Sequence, residues 1–463
     1  MAGPDLNHVK SVHLIGIGGT AMTPLATILL DMGVHVSGSD LSVAPSTAVL
    51  EEMGARVAIG HRAENVGADV ELVVASSAIP EDNAEIQEAR TRQIPVVKHS
   101  AALGSLMRGR RPIAIAGTHG KTTTSALMAV VLLEAGIDAT FHVGSELLNF
   151  GRFGRLGEDD ILVAEADEFD RRFLDYDPEL AIVTSVEPDH LDYFGAFASV
   201  VDAFESFVAR VRPGGAVVIC ADDEGAKSLA TGPIRRITYG TCAEADWRLE
   251  SYRPVSPTST QLTVRGPGGE QIDCVLQLVG RHNALNATGV IAGAVQLGVT
   301  LPQAARGIAA FRGTRRRFEV KGTADGVTVV DDYAHHPTAI RATLEAARAH
   351  YRGEIWSIFQ PHTAHRTQAL FNDFLTAFGE ADHLFLVPTY RPAGREEVEF
   401  DPSVAALAQA LQHPDVQTTT MEAAAAIVGS RAQPGDLVLV MGAGDVWKCE
   451  IPLLQRLRDR STE

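Results

Sequence analysis

Cysteine is scarce in this chain. Four occur among 463 residues, Cys220, Cys242, Cys274 and Cys449, and no two are spaced as Cys-x-x-Cys. That argues against a cysteine metal cluster or a disulfide framework and for a reducing compartment. Basic charge is in deficit too: 40 Lys and Arg face 58 Asp and Glu, for a net charge of -18. A broad nucleic-acid or anionic-membrane surface needs a basic face, so neither partner is expected. No apolar run reaches the roughly 18 residues of a membrane span. The N-terminal MAGPDLNHVKS lacks the basic and apolar regions of a signal peptide. A cytoplasmic protein is the resulting expectation. Internal repeats and long low-complexity tracts are also missing, and the alanines at 423–426 read as helix.

Apolar residues are plentiful at 45%, and the length suits about three domains of roughly 100–200 residues each. Residues 12–15, 35–37 and 72–75 read as strands, with a helix near 21–32. A basic stretch at 108–112 reads as a linker. Beyond it, 112–116, 161–164, 181–184 and 216–220 are strand candidates, and 242–278 looks like a β-rich annex. In the last third, 327–330, 354–359, 383–387 and 437–441 read as strands and 338–350 as a helix. The expected fold class is α/β: a Rossmann-like N-terminal domain, a central P-loop ATPase-like domain and a C-terminal Rossmann-like domain, each on a mainly parallel sheet. Their expected spans are 1–110, 111–320 and 321–463.

The most informative stretch is Gly117-Thr118-His119-Gly120-Lys121-Thr122-Thr123, set between an apolar run and a helix-like run. Strand, glycine-bearing loop, Lys-Thr-Thr and helix is the layout of a phosphate-binding loop. Backbone N–H groups and the helix N-terminus favour an anion there. Lys121 is expected to reach the outer phosphates of ATP or GTP, and the Thr122 hydroxyl to take a Mg²⁺. The usual pattern has one more glycine, at the position of Ile115, so this loop is a shortened variant. With the overall charge so negative, anionic substrates would depend on local Arg, Lys and Mg²⁺.

Other motifs sit at predicted strand ends. Gly16-Ile17-Gly18-Gly19 follows the first strand, with Ala21 and Asp40 where a dinucleotide fingerprint wants a small residue and an acid. NAD, the diphosphate of a nucleotide sugar, or a purely structural turn all fit. Ligands in such sheets bind beyond the carboxyl ends of strands, where Gly16, Gly18, Gly19, Ser37, Asp40 and Ser76 are expected. Glu165-Ala166-Asp167-Glu168 suits a metal-holding strand end or a solvated acidic turn. His190, among the acids of 187–192, suits a metal ligand or a surface histidine. Asn283 and Asn286 share a helix face and suit a base edge or an N-cap. Arg315-Arg316-Arg317 suits a phosphate clamp or a solvated linker. Asp331-Asp332-Tyr333-Ala334-His335-His336-Pro337 and Gln360-Pro361-His362-Thr363-Ala364-His365-Arg366 each follow a strand and look like one wall of a cleft. Zinc spacing is not convincing in either.

Taken in order, GIGGTAM, SGSD, GTHGKTT, EADE, DHLD, GRHNALN, RRRFE, DDYAHHP and FQPHTAHRT resemble the Mur ligase family along nearly the whole chain. The glycine turn and FQPH resemble its alanine-adding branch. The resemblance implies an ATP-dependent, amide-forming ligase of peptidoglycan precursor synthesis. ATP would phosphorylate the lactyl carboxylate of UDP-N-acetylmuramate, and the amine of L-alanine would attack the acyl phosphate. It implies that the first domain holds the UDP group, the central one ATP, and the third closes over ATP and the amino acid. By the same resemblance Thr122 and Glu165 hold one Mg²⁺ and His190 helps hold a second. Asn283, Asn286, Arg317 and Asp332 contact ATP, and Tyr333, His335, His336 and His362 line the muramate and alanine side. A monomer or weak homodimer is expected.

The chain also departs from the family. Several members hold the second Mg²⁺ with a carbamylated lysine, but no lysine occurs between Lys121 and Lys227. Some alanine-adding members have Arg where this chain has Thr363, and Arg366 is expected to compensate. The loop at 149–157 lacks the Asn-Ala of many relatives. Three other readings compete: a tripeptide-recycling ligase on the same sugar nucleotide, a nicotinamide-dependent oxidoreductase, and a noncatalytic nucleotide-binding regulator. The first is expected to carry Arg in place of His362. The second leaves the phosphate loop unexplained, and Lys121, Glu165 and His190 together argue against the third.

Overall fold

The computed structural model describes residues 6–391 and 402–460. The first five residues, part of the stretch read above for a leader, lie outside them. The chain divides into two compact units. One comprises Met1–Ser251, Leu262–Val275 and Leu285–Thr314, the other Tyr252–Gln261, Leu276–Ala284 and Arg315–Glu463.

The first sheet is parallel and holds β1 (Ser11–Ile15), β2 (His35–Asp40), β3 (Arg56–Ile59), β4 (Leu72–Ala75) and β5 (Val96–Lys98), in the order β3-β2-β1-β4-β5. The chain reverses direction of travel between β1 and β4, which opens a crevice at their carboxyl ends. β2 runs three residues beyond its expected end at 37. Gly38 permits this, because a Cβ there would stand 2.5 Å from Leu14 O.

The second sheet begins with β6 (Arg111–Ala116), β7 (Thr140–Leu147), β8 (Arg152–Arg155), β9 (Ile161–Glu165) and β10 (Leu180–Val183). It continues with β11 (Ala216–Cys220), β12 (Arg235–Gly240), β13 (Trp247–Ser256), β14 (Ser259–Arg265) and β15 (Gln271–Leu276). The order is β15-β14-β13-β12-β11-β10-β6-β9-β7-β8. β6 is thus flanked by β10 and β9, both parallel to it. The helix Lys121–Glu134 leaves the β6 loop and is buried almost all round, as its Ala-Leu-Met-Val composition requires of a core helix. Apolar residues of the first two sheets share one core, with Leu14, Leu25 and Val74 joined to Leu162, Val183 and Phe204. Each such side chain contributes about 1.5–3 kcal/mol by leaving water.

The third sheet holds β16 (Glu319–Ala324), β17 (Val327–Asp332), β18 (Ile355–Phe359), β19 (His383–Leu386), β20 (Val416–Thr418) and β21 (Leu437–Met441), in the order β16-β17-β21-β18-β19-β20. Only the β16 edge is antiparallel. Alternation buries Val330, Ile355 and Leu439 on one face and Val329, Trp356 and Val438 on the other. Both faces are covered, as a mostly parallel sheet demands. Asp331 and Asp332, expected just past the strand, are its last two residues.

The four cysteines are all thiols. Burial pushes Cys220 up to about 11 and Cys274 and Cys449 up to about 12. Among the described residues no helix is long and apolar enough to cross a membrane.

Candidate active site

The phosphate loop turns on Gly117 and Gly120, with φ of 139° and 77°, a region that penalises any side chain. Space forbids one as well. A Cβ on Gly117 would fall 2.0 Å from Thr184 Oγ1, and one on Gly120 2.9 Å from Asn286 Oδ1. Thr118 N donates to Ser185 O (2.9 Å) and His119 N to Ser185 Oγ (3.0 Å). Those two N–H groups are spent on the neighbouring loop. The anion cradle therefore falls to the first helical turn, whose N–H groups a helix cannot satisfy internally. Lys121, Thr122 and Thr123 form that turn, with both threonines buried.

Lys121 Nζ donates to Gly117 O (2.6 Å) and to Glu168 Oε2 (2.7 Å). Burial alone pulls the lysine pKa down, but the carboxylates of Glu168, Asp167 and Glu165 outweigh it and raise it. Thr122 Oγ1 donates to Glu165 Oε1 at 2.9 Å, and Glu165 Oε2 accepts from Gly144 N at 2.9 Å. A hydroxyl and a carboxylate this close are hard oxygen donors of the kind Mg²⁺ takes beside a phosphate. The donor set fits the ion.

Sheet order explains how the remaining groups gather. Glu165 ends β9 on one side of β6, and the loop after β10 brings Glu187, Asp189 and His190 on the other. Glu187 N donates to Thr118 Oγ1 (2.9 Å), and His119 Nε2 lies 3.5 Å from Glu187 Oε2. His190 holds a left-handed φ of 52°, a conformation that persists only when surroundings over-determine it. Asp189 Oδ1 accepts from His190 N at 2.7 Å, and Phe169 packs on the imidazole with centroids 4.7 Å apart. Asn286 lies against Gly120. Asn283, one turn earlier in the helix Arg281–Gln296, donates its Nδ2 to Val279 O at 2.8 Å.

The first-sheet turn is built by its own acid. Gly18 N donates to Asp40 Oδ2 (2.9 Å) and Leu41 N to Asp40 Oδ1 (2.8 Å). The carboxylate that a dinucleotide fingerprint reserves for ribose here shapes the turn. Gly16, at φ 81°, would place a Cβ 3.1 Å from Ser76 Cβ, and Gly19 N donates to Gly16 O. The turn and Ser76 thus meet at the crevice between β1 and β4. Ser37 is a correction: it lies inside β2, not at its end, and its Oγ is 3.0 Å from His13 Nδ1. Beneath it Glu85 is fully buried, accepting from Ser39 Oγ (2.6 Å) and Asn65 Nδ2. Burial pushes the Glu85 carboxyl up, yet hydrogen bonds from His13, Ser39 and Asn65 bring it below the usual range. Beside the crevice a cavity of about 350 Å³ is lined by Ser77, Lys98, His99, Arg171, Arg172 and Asp175, among others. It spans the ends of β4 and β5 and the segment that follows Glu168.

The other unit carries an aromatic wall past the ends of β17, β18 and β19. Arg317 lies over the Tyr333 ring at 4.9 Å. Tyr333 meets His335 at 5.3 Å, His335 meets His362 at 5.5 Å, and His362 stacks on Tyr390 at 5.7 Å. Arg366 Nη1 is 3.4 Å from His362 Nδ1. His336 caps the helix Pro337–His350, accepting from Thr338 N. Asp332 is buried and accepts from Phe318 N (2.7 Å) and Ala334 N (2.8 Å). Burial pushes its carboxyl up, with Arg317 opposing. Of the arginine triplet, Arg315 pairs with Glu319, and Arg316 binds Asp331 and the carbonyls of Gly442 and Gly444.

Some residues of the site had no separate signal in the sequence. Glu168 closes the run Glu165-Ala166-Asp167-Glu168, and nothing in the sequence marks its partner. Thr184 and Ser185 look like any strand end. Tyr390 is far along the chain from His362, although it packs on it.

Residues 11–111 match the Mur ligase family catalytic domain, 115–294 the Mur ligase middle domain, and 316–444 the Mur ligase glutamate ligase domain. A Symbiobacterium thermophilum protein named UDP-N-acetylmuramate–L-alanine ligase is 42% identical over 98% of this chain and 95% of its own length. Among solved structures, the UDP-N-acetylmuramate–alanine ligase of Thermotoga maritima superposes with a TM-score of 0.82 at 26% identity, covering 98% of this chain and all (100%) of that one. The murein peptide ligase of Psychrobacter arcticus gives a TM-score of 0.72 at 25% identity, covering 97% and 99%.

Proposed function

The chain belongs to the Mur ligase family, and from that premise we propose that it joins L-alanine to the lactyl carboxylate of UDP-N-acetylmuramate, with ATP converted to ADP and phosphate. The reaction belongs to peptidoglycan precursor synthesis. Its substrates are chosen on the 42% identity, over nearly the whole chain, to a relative of that name. The observation that carries the chemistry is the phosphate loop set between two strand ends bearing Glu165 and His190.

On this reading 1–110 hold the sugar nucleotide, 111–320 hold ATP, and 321–463 supply the amino-acid side. A carboxylate resists attack by an amine. Transfer of the γ-phosphoryl group to its oxygen makes that oxygen a leaving group. The amine then forms the C–N bond, phosphate departs with the C–O bond electrons, and the nitrogen loses a proton. Lys121 supplies fixed positive charge where the phosphoryl oxygens gain negative charge. Thr122 and Glu165 would hold a Mg²⁺, with His190 assigned to a second. When bound, Mg²⁺ neutralises phosphate charge.

Gly117, Thr118, His119, Gly120 and Thr123 shape the ATP seat, and Asn283 and Asn286 face the nucleotide. Asp332 fixes the backbone around Arg317, whose guanidinium is assigned to ATP phosphate. Gly16, Gly18, Gly19, Asp40 and Ser76 form the turn assigned to the UDP group, and Ser37 supports it from within β2. The cavity bearing Lys98, Arg171 and Arg172 supplies cations for an anionic sugar nucleotide. Tyr333, His335, His336, His362 and Arg366 are assigned to the carboxylate and alanine. We place the reaction in the cytoplasm, run by a monomer or weak homodimer without nucleic acid or membrane.

Phosphate release tests the proposal. With Mg²⁺ and ATP, release is expected only when UDP-N-acetylmuramate and L-alanine are both present. Release driven by the tripeptide but not by alanine would replace this reading with the recycling ligase.

A further inference from the structure

Lys121 is the residue assigned to ATP phosphate, yet its ammonium is already surrounded. An ammonium has three N–H donors. Three acceptors stand around Nζ: Gly117 O at 2.6 Å, Glu168 Oε2 at 2.7 Å and Thr118 O at 3.4 Å. The first and third belong to the loop's own backbone, and the second is a carboxylate. Both side chains are withdrawn from water, with exposures of 15% and 3%. A charge-assisted hydrogen bond in such surroundings is strong, and it occupies the donor best placed to leave the loop.

Nearby acids are committed elsewhere. Asp167 Oδ2 accepts from Arg172 at 3.1 Å and its Oδ1 from Phe169 N at 3.1 Å. Glu165 is divided between Thr122 and Gly144. Glu168 alone of the three is bonded to the lysine. An arriving triphosphate would set anionic oxygens beside a buried anion that already holds their partner.

We propose that Glu168 is a positioning residue that latches Lys121 onto its loop before ATP binds, and that the triphosphate takes the ammonium from it. The proposal rests on reading 117–122 as the seat of ATP. No bond is made or broken; the ammonium exchanges one anionic partner for another and stays charged. ATP binding then carries the cost of parting a buried ion pair. The affinity for ATP is lower than the loop alone would give, and anions too small to make the remaining contacts cannot open the latch.

The test uses the full chain and Mg·ATP without the other substrates, titrated by calorimetry. Glu168→Gln keeps the shape and removes the charge, so it is expected to bind ATP roughly tenfold more tightly, the scale of one charge-assisted hydrogen bond. Equal or weaker binding would overturn the latch. A merely structural role would not tighten binding. A thermal-unfolding cycle addresses the pair without ATP. Lys121→Met leaves a carboxylate buried without its partner and should lower Tm, and adding Glu168→Gln should recover most of the loss. A double variant no more stable than Lys121→Met alone would overturn the proposal even if Glu168→Gln alone failed to fold. A wild-type chain that ignores ATP would sink the ATP reading, while the cycle would still report on the pair.

Discussion

His99 and His142 meet ring to ring, Nε2 to Nε2, at 3.0 Å. His142 Nε2 is also 2.9 Å from Ala21 O, at the end of the first glycine turn. Both rings are buried. The contact joins the strand β7 of the second sheet to the turn and to the helix His99–Leu106 of the first, and as a hydrogen bond it needs one of the two Nε2 atoms to be without a proton.

Acid should therefore loosen this joint. Burial pulls His142 down to about 4, and burial and then the charges of His142 and Arg172 pull His99 well below its usual value. Between about 4 and the unfolded value near 6.5, the unfolded chain binds more protons than the folded one. Stability is then greatest above about 6.5 and falls as the pH drops towards 4. Urea midpoints measured from pH 7 to 4.5 should decline, and the double variant His99→Gln, His142→Gln should decline less steeply. Parallel slopes would refute the assignment.

Thr122→Val removes a donor from the Thr122–Glu165 pair and keeps the volume. Turnover is expected to fall about 10²–10³-fold, the usual loss for one transition-state donor, and the Mg²⁺ concentration for half-activity should rise. Phosphate release against Mg²⁺ concentration measures both; an unchanged Mg²⁺ dependence would take Thr122 out of the metal site.

Gly117→Ala should fail for steric reasons alone. The added methyl would sit 2.0 Å from Thr184 Oγ1 at φ 139°, so the loop must move or strain by about 1–3 kcal/mol. ATP titration should show lost affinity in a chain that remains folded by circular dichroism. Normal affinity would mean that the loop tolerates another path.

Arg316→Met should destabilise the second unit. The guanidinium neutralises buried Asp331 and holds two carbonyls, and removing one member of a mostly buried pair costs about 3 kcal/mol. Guanidinium-chloride unfolding reads this directly. A loss under about 0.5 kcal/mol, typical of an exposed pair, would contradict it.

Much of this architecture is legible from short apolar runs. Leu72–Ala75, Ala216–Cys220 and Leu437–Met441 have the same bounds in sequence and structure, because each is a short apolar run buried on both faces; the first stops at Ser76 and the last at Gly442. Two of the strands that run past their expected ends, β2 and β17, carry polar ends whose burial depends on partners elsewhere. Ser39 is buried by Glu85, and Asp331 by Arg316. Hydropathy registers neither. Residues 152–155, in a stretch taken for a loop, form an edge strand held by Arg152 to Asp31 at 3.0 Å. Within the site, Lys121, Thr122 and Glu165 were legible because their order along the chain matches their chemistry. Glu168 and Tyr390 were not, since each matters through one long-range contact that leaves no periodic trace.

The edge strand that carries Gly154 and Arg152 has a further consequence. A Cβ on Gly154 would stand 2.6 Å from Pro24 O, and Leu156 N donates to Asp31 Oδ2. Together with the His99–His142 joint and the shared core, these contacts weld the glycine turn at Gly16 to the body that carries the phosphate loop. For the proposed reaction, the seats assigned to the sugar nucleotide and to ATP therefore share one packed body.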